Sequence, residues 1–223
     1  DPRLYSRREM LALGAGLGAA ALGIAPALAQ TAAAKPLLTR KIPRTGEPLP
    51  VIGLGTAIIF DVGNDAAQRA ERGAVIRTLL DGGARLIDTA PSYGTAESVV
   101  GDLLAEMKIR DKVFVATKVR AASRDRAIAE MQQSQRRLRT EKFDLMQIHN
   151  VGFVNRGETD AQLALLREWK DRGVFRYIGV THSQDQERAN DRLMELMRSE
   201  KLDFMQVNYS MAERSVEQRL LAV

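Results

Sequence analysis

From Val51 onward the sequence alternates short apolar runs with longer stretches of helical spacing, and this alternation limits the possible folds more than any single residue does. The runs are residues 51–56, 85–89, 113–118, 143–149, 177–181 and 204–209. Near-continuous apolar strands separated by amphipathic helices predict a parallel sheet, because each crossover lays a helix on the sheet face. Within residues 74–80 the spacing predicts that Val75, Leu79 and Leu80 share the buried face of a helix. Gly82-Gly83 and Gly173 mark helix ends, expected as left-handed C-terminal caps.

An α/β sheet of this kind is either open or closed into a barrel. The open doubly wound form usually carries Gly-x-Gly-x-x-Gly between its first strand and helix. Here Gly53-Leu54-Gly55 is followed by Thr56-Ala57-Ile58, so the third glycine is absent and a (β/α)8 TIM barrel is predicted. Six strand–helix units fit between residues 51 and 222, and two more would need on the order of 60 further residues. The expectation is therefore an incomplete barrel of about six of the eight units, with two open strand edges and poor folding. Both ends read as cut, since the chain opens at Asp1 and reaches Val223 inside a helical pattern. Two short extended stretches around Gly46 predict an N-terminal β-hairpin ahead of the barrel.

The segment before that hairpin reads as an address. Arg7-Arg8 precedes an apolar, Ala/Gly-rich stretch over residues 11–25, then Pro26 and Ala27-Leu28-Ala29. A positive start, an apolar middle and a small-x-small end are the parts of a secretory signal. The paired arginines indicate the twin-arginine route. The expected organisation is a twin-arginine signal peptide over 1–29, a linker over 30–36 and the barrel over 37–223. Periplasmic localisation and the export machinery as a partner follow. A retained membrane anchor is the other reading, but the glycines, alanines and proline make the stretch only weakly apolar.

Composition removes several chemistries. The absence of cysteine excludes disulfides, thiol catalysis and cysteine-ligated zinc. With only His149 and His182, no histidine-rich metal site is expected, and no metal is predicted. The net charge of +5 comes from cations interspersed with acidic residues, and aromatics make up 5%. A nucleic-acid groove needs clustered cations with stacking aromatics, so none is expected. Mild basicity suits attraction of a phosphorylated cofactor.

In a barrel the C-terminal strand ends face the catalytic mouth. Reading them gives Asp88, Lys118 and His149 from three successive strands, with Tyr93 on the loop after Asp88. Each has a plainer role open to it: Asp88 as a turn cap, Lys118 as a strand-end lysine reaching solvent, His149 as a core histidine, Tyr93 as rim packing. Together they suit proton donation. A phenol titrates near 10, and bringing it toward neutrality takes about 3–4 kcal/mol of preference for the phenolate. An ammonium about 4 Å away supplies ~4 kcal/mol at an effective dielectric of 20. Asp88 would keep Lys118 charged and aimed, at some cost to its pull on Tyr93. His149 would orient a substrate oxygen. The set places a general acid beside a carbonyl while a cofactor delivers hydride.

The stretch Asp88-Thr89-Ala90-Pro91-Ser92-Tyr93-Gly94-Thr95-Ala96-Glu97, with Gly101 four residues on, resembles the aldo-keto reductase signature. Ala116-Thr117-Lys118 and Met146-Gln147-Ile148-His149 resemble that family's lysine and histidine strands, at spacings of 5, 30 and 31 residues. The resemblance implies an NAD(P)H-dependent reduction of a small aldehyde or ketone. Tyr93 would be the proton donor, Lys118 and Asp88 would tune it, and His149 would orient the carbonyl. It implies NADPH as the cofactor, with NADH the other option, contacted by Gly55, Thr56, Asp88, Thr181, His182 and Gln206. Gly55 and Thr56 would lie beside the nicotinamide ribose, and Gln206 would hold the carboxamide. Thr181-His182 stands where the family usually has Ser-Asn; both side chains can hydrogen-bond, but His182 is bulkier and can titrate. The strands that bind pyrophosphate and adenosine phosphate in the family would follow Val223, so residues 1–223 are expected to bind NADPH weakly or not at all. Two further readings share the fold. One is a nucleotide-binding sensor resembling the potassium-channel β-subunits, with little turnover; the other is a phosphate-binding barrel isomerase.

Overall fold

A small antiparallel ribbon precedes the main sheet, where the extended stretches around Gly46 predict it. Strand β1 (Thr39–Lys41) pairs with β2 (Pro48–Pro50), Thr39 opposite Pro50. Gly46 turns between them at φ +72°, a conformation that favours glycine. This computed structural model describes residues 36–120, 123–183 and 187–222. The signal peptide expected over 1–29 and the linker through residue 35 lie outside the described residues.

Six strands follow in one parallel sheet, ordered as in the sequence: β3 (Gly53–Gly55), β4 (Leu86–Asp88), β5 (Phe114–Val119), β6 (Phe143–Ile148), β7 (Phe175–His182) and β8 (Phe204–Val207). Between them run α1 (Ala66–Asp81), α2 (Ala96–Glu106), α3 (Arg124–Arg137), α4 (Arg156–Asp171) and α5 (Glu187–Ser199). This is the β/α order of the predicted TIM barrel, as an incomplete, six-stranded part of it. Strands β3 and β8 each have a single partner among the described residues, so both sheet edges are open. After β8 the expected sixth helix is replaced by two 3-10 turns, Ser215–Gln218 and Leu220–Ala222.

Alternation along the strands makes two apolar layers. Phe114, Ala116, Leu145 and Tyr177 face one side, where Ile42 and Leu49 of the hairpin segment pack against them. Burying each large side chain stabilises by roughly 1.5–3 kcal/mol. Polar contacts reinforce the contact with the hairpin: the Tyr177 hydroxyl donates to Glu47 at 2.6 Å, and Arg85 and Arg176 pair with the same carboxylate. The other face carries the larger core beneath the helices, including Ile76, Val115, Met146, Ile178 and Trp169.

Two local expectations change. On α1 the buried residues are Gly73 and Ile76, while Val75 is 42% exposed and Leu79 and Leu80 are only partly buried. Gly73 faces Leu103 of α2, whose Cδ2 would lie at an ordinary contact distance of 3.5 Å from an added Cβ. With Gly73 and Ile76 on the buried side, Val75 lies about 100° from Ile76 around the helix. At the end of α1 only Gly83 is left-handed, at φ +83°, whereas Gly82 stays helical at φ −74°. Gly173 takes φ +74° as expected.

Candidate active site

All six strands run the same way, so their C-terminal ends gather at one end of the sheet. Asp88 ends β4, Lys118 lies one residue from the end of β5, His149 follows β6, and Thr181 and His182 end β7. The register sets Lys118 beside Gln147 and Thr181 beside Gln206, and neighbours in register share a face. Tyr93 sits on the turn between β4 and α2, fixed by backbone bonds Tyr93 N–H to Ala90 O (3.1 Å) and Ala96 N–H to Tyr93 O (3.0 Å).

Lys118 is 1% exposed and its ammonium has an acceptor for each of three protons. It donates to the two Asp88 carboxylate oxygens at 2.8 and 2.7 Å and to Thr89 O at 2.9 Å. Its Nζ lies 5.1 Å from the centre of the Tyr93 ring. The Tyr93 and His149 rings meet edge to face, 6.0 Å apart at 84°. These three side chains share a cleft of about 170 Å³ with Thr181, His182 and Gln206. The four residues read from the strand ends are thus brought together.

Their electrostatics differ from the sequence argument. Burial lowers Lys118, and the Asp88 carboxylate only partly restores it. The Tyr93 phenol is raised, first by burial and then by the Asp88 charge. The ammonium expected to draw the phenol down is already engaged by Asp88 and Thr89, so a nearly neutral pair faces Tyr93. Burial, followed by the Lys118 and Arg120 cations, pushes His149 down to about 4. Its imidazole is therefore neutral at neutral pH.

His149 gives a pH-dependent stability with a definite sign. Its folded value of about 4 lies below its ordinary 6.5, so its contribution is complete above pH 6.5 and is lost as pH falls toward 4. A fully expressed shift would be about 3 kcal/mol. Solvent at the cleft screens part of it, leaving about 1–2 kcal/mol. Urea unfolding at pH 7.5 and 4.5 should show this loss in the parent and not in His149→Gln; equal pH slopes would refute it.

The residues expected around the nicotinamide divide. Gln206 and Thr181 line the cleft; Gln206 Oε1 accepts from Gln147 Nε2 at 3.2 Å, and Thr181 Oγ1 accepts from the Asn150 amide at 3.2 Å. Thr56 is fully buried, and both its amide and its hydroxyl donate to Asp88 O, at 3.1 and 2.9 Å. It ties β3 to β4. Neither Thr56 nor Gly55 lines the cleft, and both oxygens of Asp88 are turned to Lys118. His182 lines one wall, yet both ring nitrogens are buried without a partner among the described residues, and the ring packs edge-on to Phe153 at 5.1 Å. Gly152 makes room for it, since an added Cβ there would sit 2.5 Å from His182 Cε1.

Sequence reasoning did not single out Ser183 and Asn208, which line the cleft, or Gln147 and Asn150, which bond residues that do. Gln147 positions Gln206. Asn150, left-handed at φ 58°, accepts from the Ser183 amide at 3.0 Å, and Asn208 donates to Ser183 O at 2.5 Å. The available signals were weak: an asparagine directly after a strand end tolerates left-handed backbone, and Gln147 lies two residues from His149 on the same face.

Residues 51–223 match the aldo/keto reductase family. The chain belongs to that family. It is 33% identical over 192 residues to the aldo-keto reductase YhdN of Bacillus subtilis, an alignment covering 79% of this chain and 55% of the relative. To the methylglyoxal reductase YeaE of Escherichia coli it is 34% identical over 177 residues, covering 78% and 59%. An aldo/keto reductase structure from Klebsiella pneumoniae, in complex with NADP and acetate, superposes with a TM-score of 0.66 at 30% identity, covering 79% of this chain and 60% of that one. The chain thus spans somewhat over half the length of these aldo-keto reductases. No helix among the described residues is long and apolar enough to cross a membrane.

Proposed function

We propose that this chain carries the active site of an NAD(P)H-dependent oxidoreductase that reduces aldehydes or ketones to alcohols, with Tyr93 as the proton donor. One observation carries the reading: Lys118, closed on Asp88, lies under the Tyr93 ring, which in turn meets a neutral His149 at the mouth of one small cleft. The methylglyoxal reductase relative supports a small carbonyl substrate, and the NADP-bound neighbour supports NADPH as cofactor.

The cleft fits the nicotinamide end of such a cofactor. Its volume of about 170 Å³ suits one substituted ring rather than a whole dinucleotide, since pockets for drug-sized ligands run about 300–1,000 Å³. Gln206 accepts Gln147's proton on Oε1, which leaves its amide protons to donate to a carboxamide oxygen. Thr181 stands beside it. When bound, NADPH supplies the hydride. The Tyr93 O–H donates to the carbonyl oxygen, while the neutral His149 imidazole hydrogen-bonds the same oxygen and fixes its direction. A raised phenol suits this work, because it stays protonated through the neutral range and the alkoxide it protonates is far more basic than phenolate.

Steady multiple-turnover consumption of NADPH by the whole protein with small aldehydes is the expected result. A single turnover with retained nucleotide would instead favour the sensor reading. The proposal includes twin-arginine export: an Arg7→Lys, Arg8→Lys pair should shift the protein from the periplasmic to the cytoplasmic fraction, and an unchanged distribution would remove the export route.

A further inference from the structure

Glu97 belongs to the stretch that carries the family resemblance, four residues past Tyr93, yet the chemistry above does not use it. Its side chain is 1% exposed in the first turn of α2. On one oxygen it accepts from the Thr117 hydroxyl at 2.7 Å, a fully buried bond. Thr117 precedes Lys118 on β5, and successive strand residues face opposite sides, so Glu97 grips the back of the strand whose front carries the ammonium. On its other oxygen it accepts from Arg137 Nη1 at 3.4 Å. The same nitrogen donates to Pro91 O at 3.5 Å, two residues before Tyr93.

Gly101, one turn along α2, is what lets the arginine come this near. A Cβ there would lie 2.1 Å from Arg137 O and 2.6 Å from Leu138 Cα, so any side chain would push the end of α3 away. Burial pushes the Glu97 carboxyl up, and its hydrogen bonds from Thr117 and Arg137 oppose that. Glu97, Gly101 and Arg137 therefore form one device linking β5 to the loop of residues 90–95.

We propose that Glu97 and Arg137 are positioning residues that hold the 90–95 loop against β5, so that the Tyr93 ring stays over Lys118. The inference rests on Tyr93 being the proton donor. A pair that merely stabilises the fold would lower the amount of folded enzyme; a pair that positions Tyr93 must act through its hydroxyl. Misplacing a reacting group by about 1 Å costs up to about 10²-fold in rate.

The test places Glu97→Gln, Arg137→Met and Arg137→Lys in the parent and in Tyr93→Phe, in the whole protein, with NADPH and a small aldehyde. Glu97→Gln and Arg137→Met are expected to lower kcat about 10–100-fold, with NADPH affinity changed by less than about twofold. In the Tyr93→Phe background the same substitutions should change kcat by less than about twofold, because coupled residues are non-additive. Arg137→Lys keeps the charge and should fall between; it carries the comparison if Glu97→Gln does not fold. Leu103→Ala, on the same helix, supplies a variant of matched urea stability with unchanged kcat. Equal losses in both backgrounds, or losses that track stability as Leu103→Ala does, overturn the positioning role. An unaffected rate in Tyr93→Phe alone overturns the proton-donor reading itself, and the inference with it.

Discussion

Replacing Tyr93 with phenylalanine is expected to slow carbonyl reduction by about 10²–10⁴-fold, the usual worth of a general acid, with little change in the fold. The hydroxyl makes no hydrogen bond among the described residues, while the ring makes the contacts that survive the substitution: 5.1 Å to Lys118 Nζ and 6.0 Å to the His149 ring. Phenylalanine therefore keeps the ring packing and removes only the hydroxyl with its proton. Stability in urea should stay within about 0.5 kcal/mol of the parent, as for a substitution that breaks no buried contact. The pH profile is the sharper check. Because the phenol is raised above its ordinary 10, the parent's kcat should run flat through the neutral range and fall only in strong alkali. A phenol drawn down by Lys118 would instead lose its proton near neutrality and give an early alkaline fall. An unaffected rate in the variant would take Tyr93 out of the mechanism.

The contrast between those two profiles shows where sequence reasoning reaches and where it stops. The strands were legible because a parallel sheet covered on both faces needs short apolar runs between helical stretches, as in Val113-Phe114-Val115-Ala116. The strand-end residues were legible for a related reason: parallel strands put all their C-termini at one end, so Asp88, Lys118 and His149 had to be neighbours. That Asp88 would hold Lys118 was legible as well; how deeply the pair is buried was not. Burial, followed by the Asp88 charge, raises the Tyr93 phenol that Lys118 was expected to lower. Thr56 was open in the same way, since a threonine after a strand can face a ligand or bond the adjacent strand, and its hydroxyl bonds Asp88 O. Which side of α1 is buried depends on how the helix packs beside its neighbours, which local spacing does not contain. Glu97 and Gly101 stood out in the motif, but their purpose needs Arg137, which lies on another helix.

Lys118→Met is expected to cost about 3–5 kcal/mol of stability, the usual penalty for removing one partner of a buried ion pair. Methionine keeps the apolar stem but leaves the Asp88 carboxylate, whose side chain is only 14% exposed, without its cation. Thr89 O loses its donor as well. The loss therefore reflects a stranded charge more than a missing attraction, and this distinction can be measured. Adding Asp88→Asn removes the stranded charge, so the double variant should recover at least half of what the single variant lost. Urea midpoints at constant slope would report both values. Activity should behave differently: the double variant regains stability but not rate, because neither the ammonium nor its anchor is left beneath the Tyr93 ring. A single substitution costing less than about 1 kcal/mol would mean that water reaches Asp88 freely. Lys118 and Asp88 would then not form the desolvated pair on which the arrangement of the cleft depends.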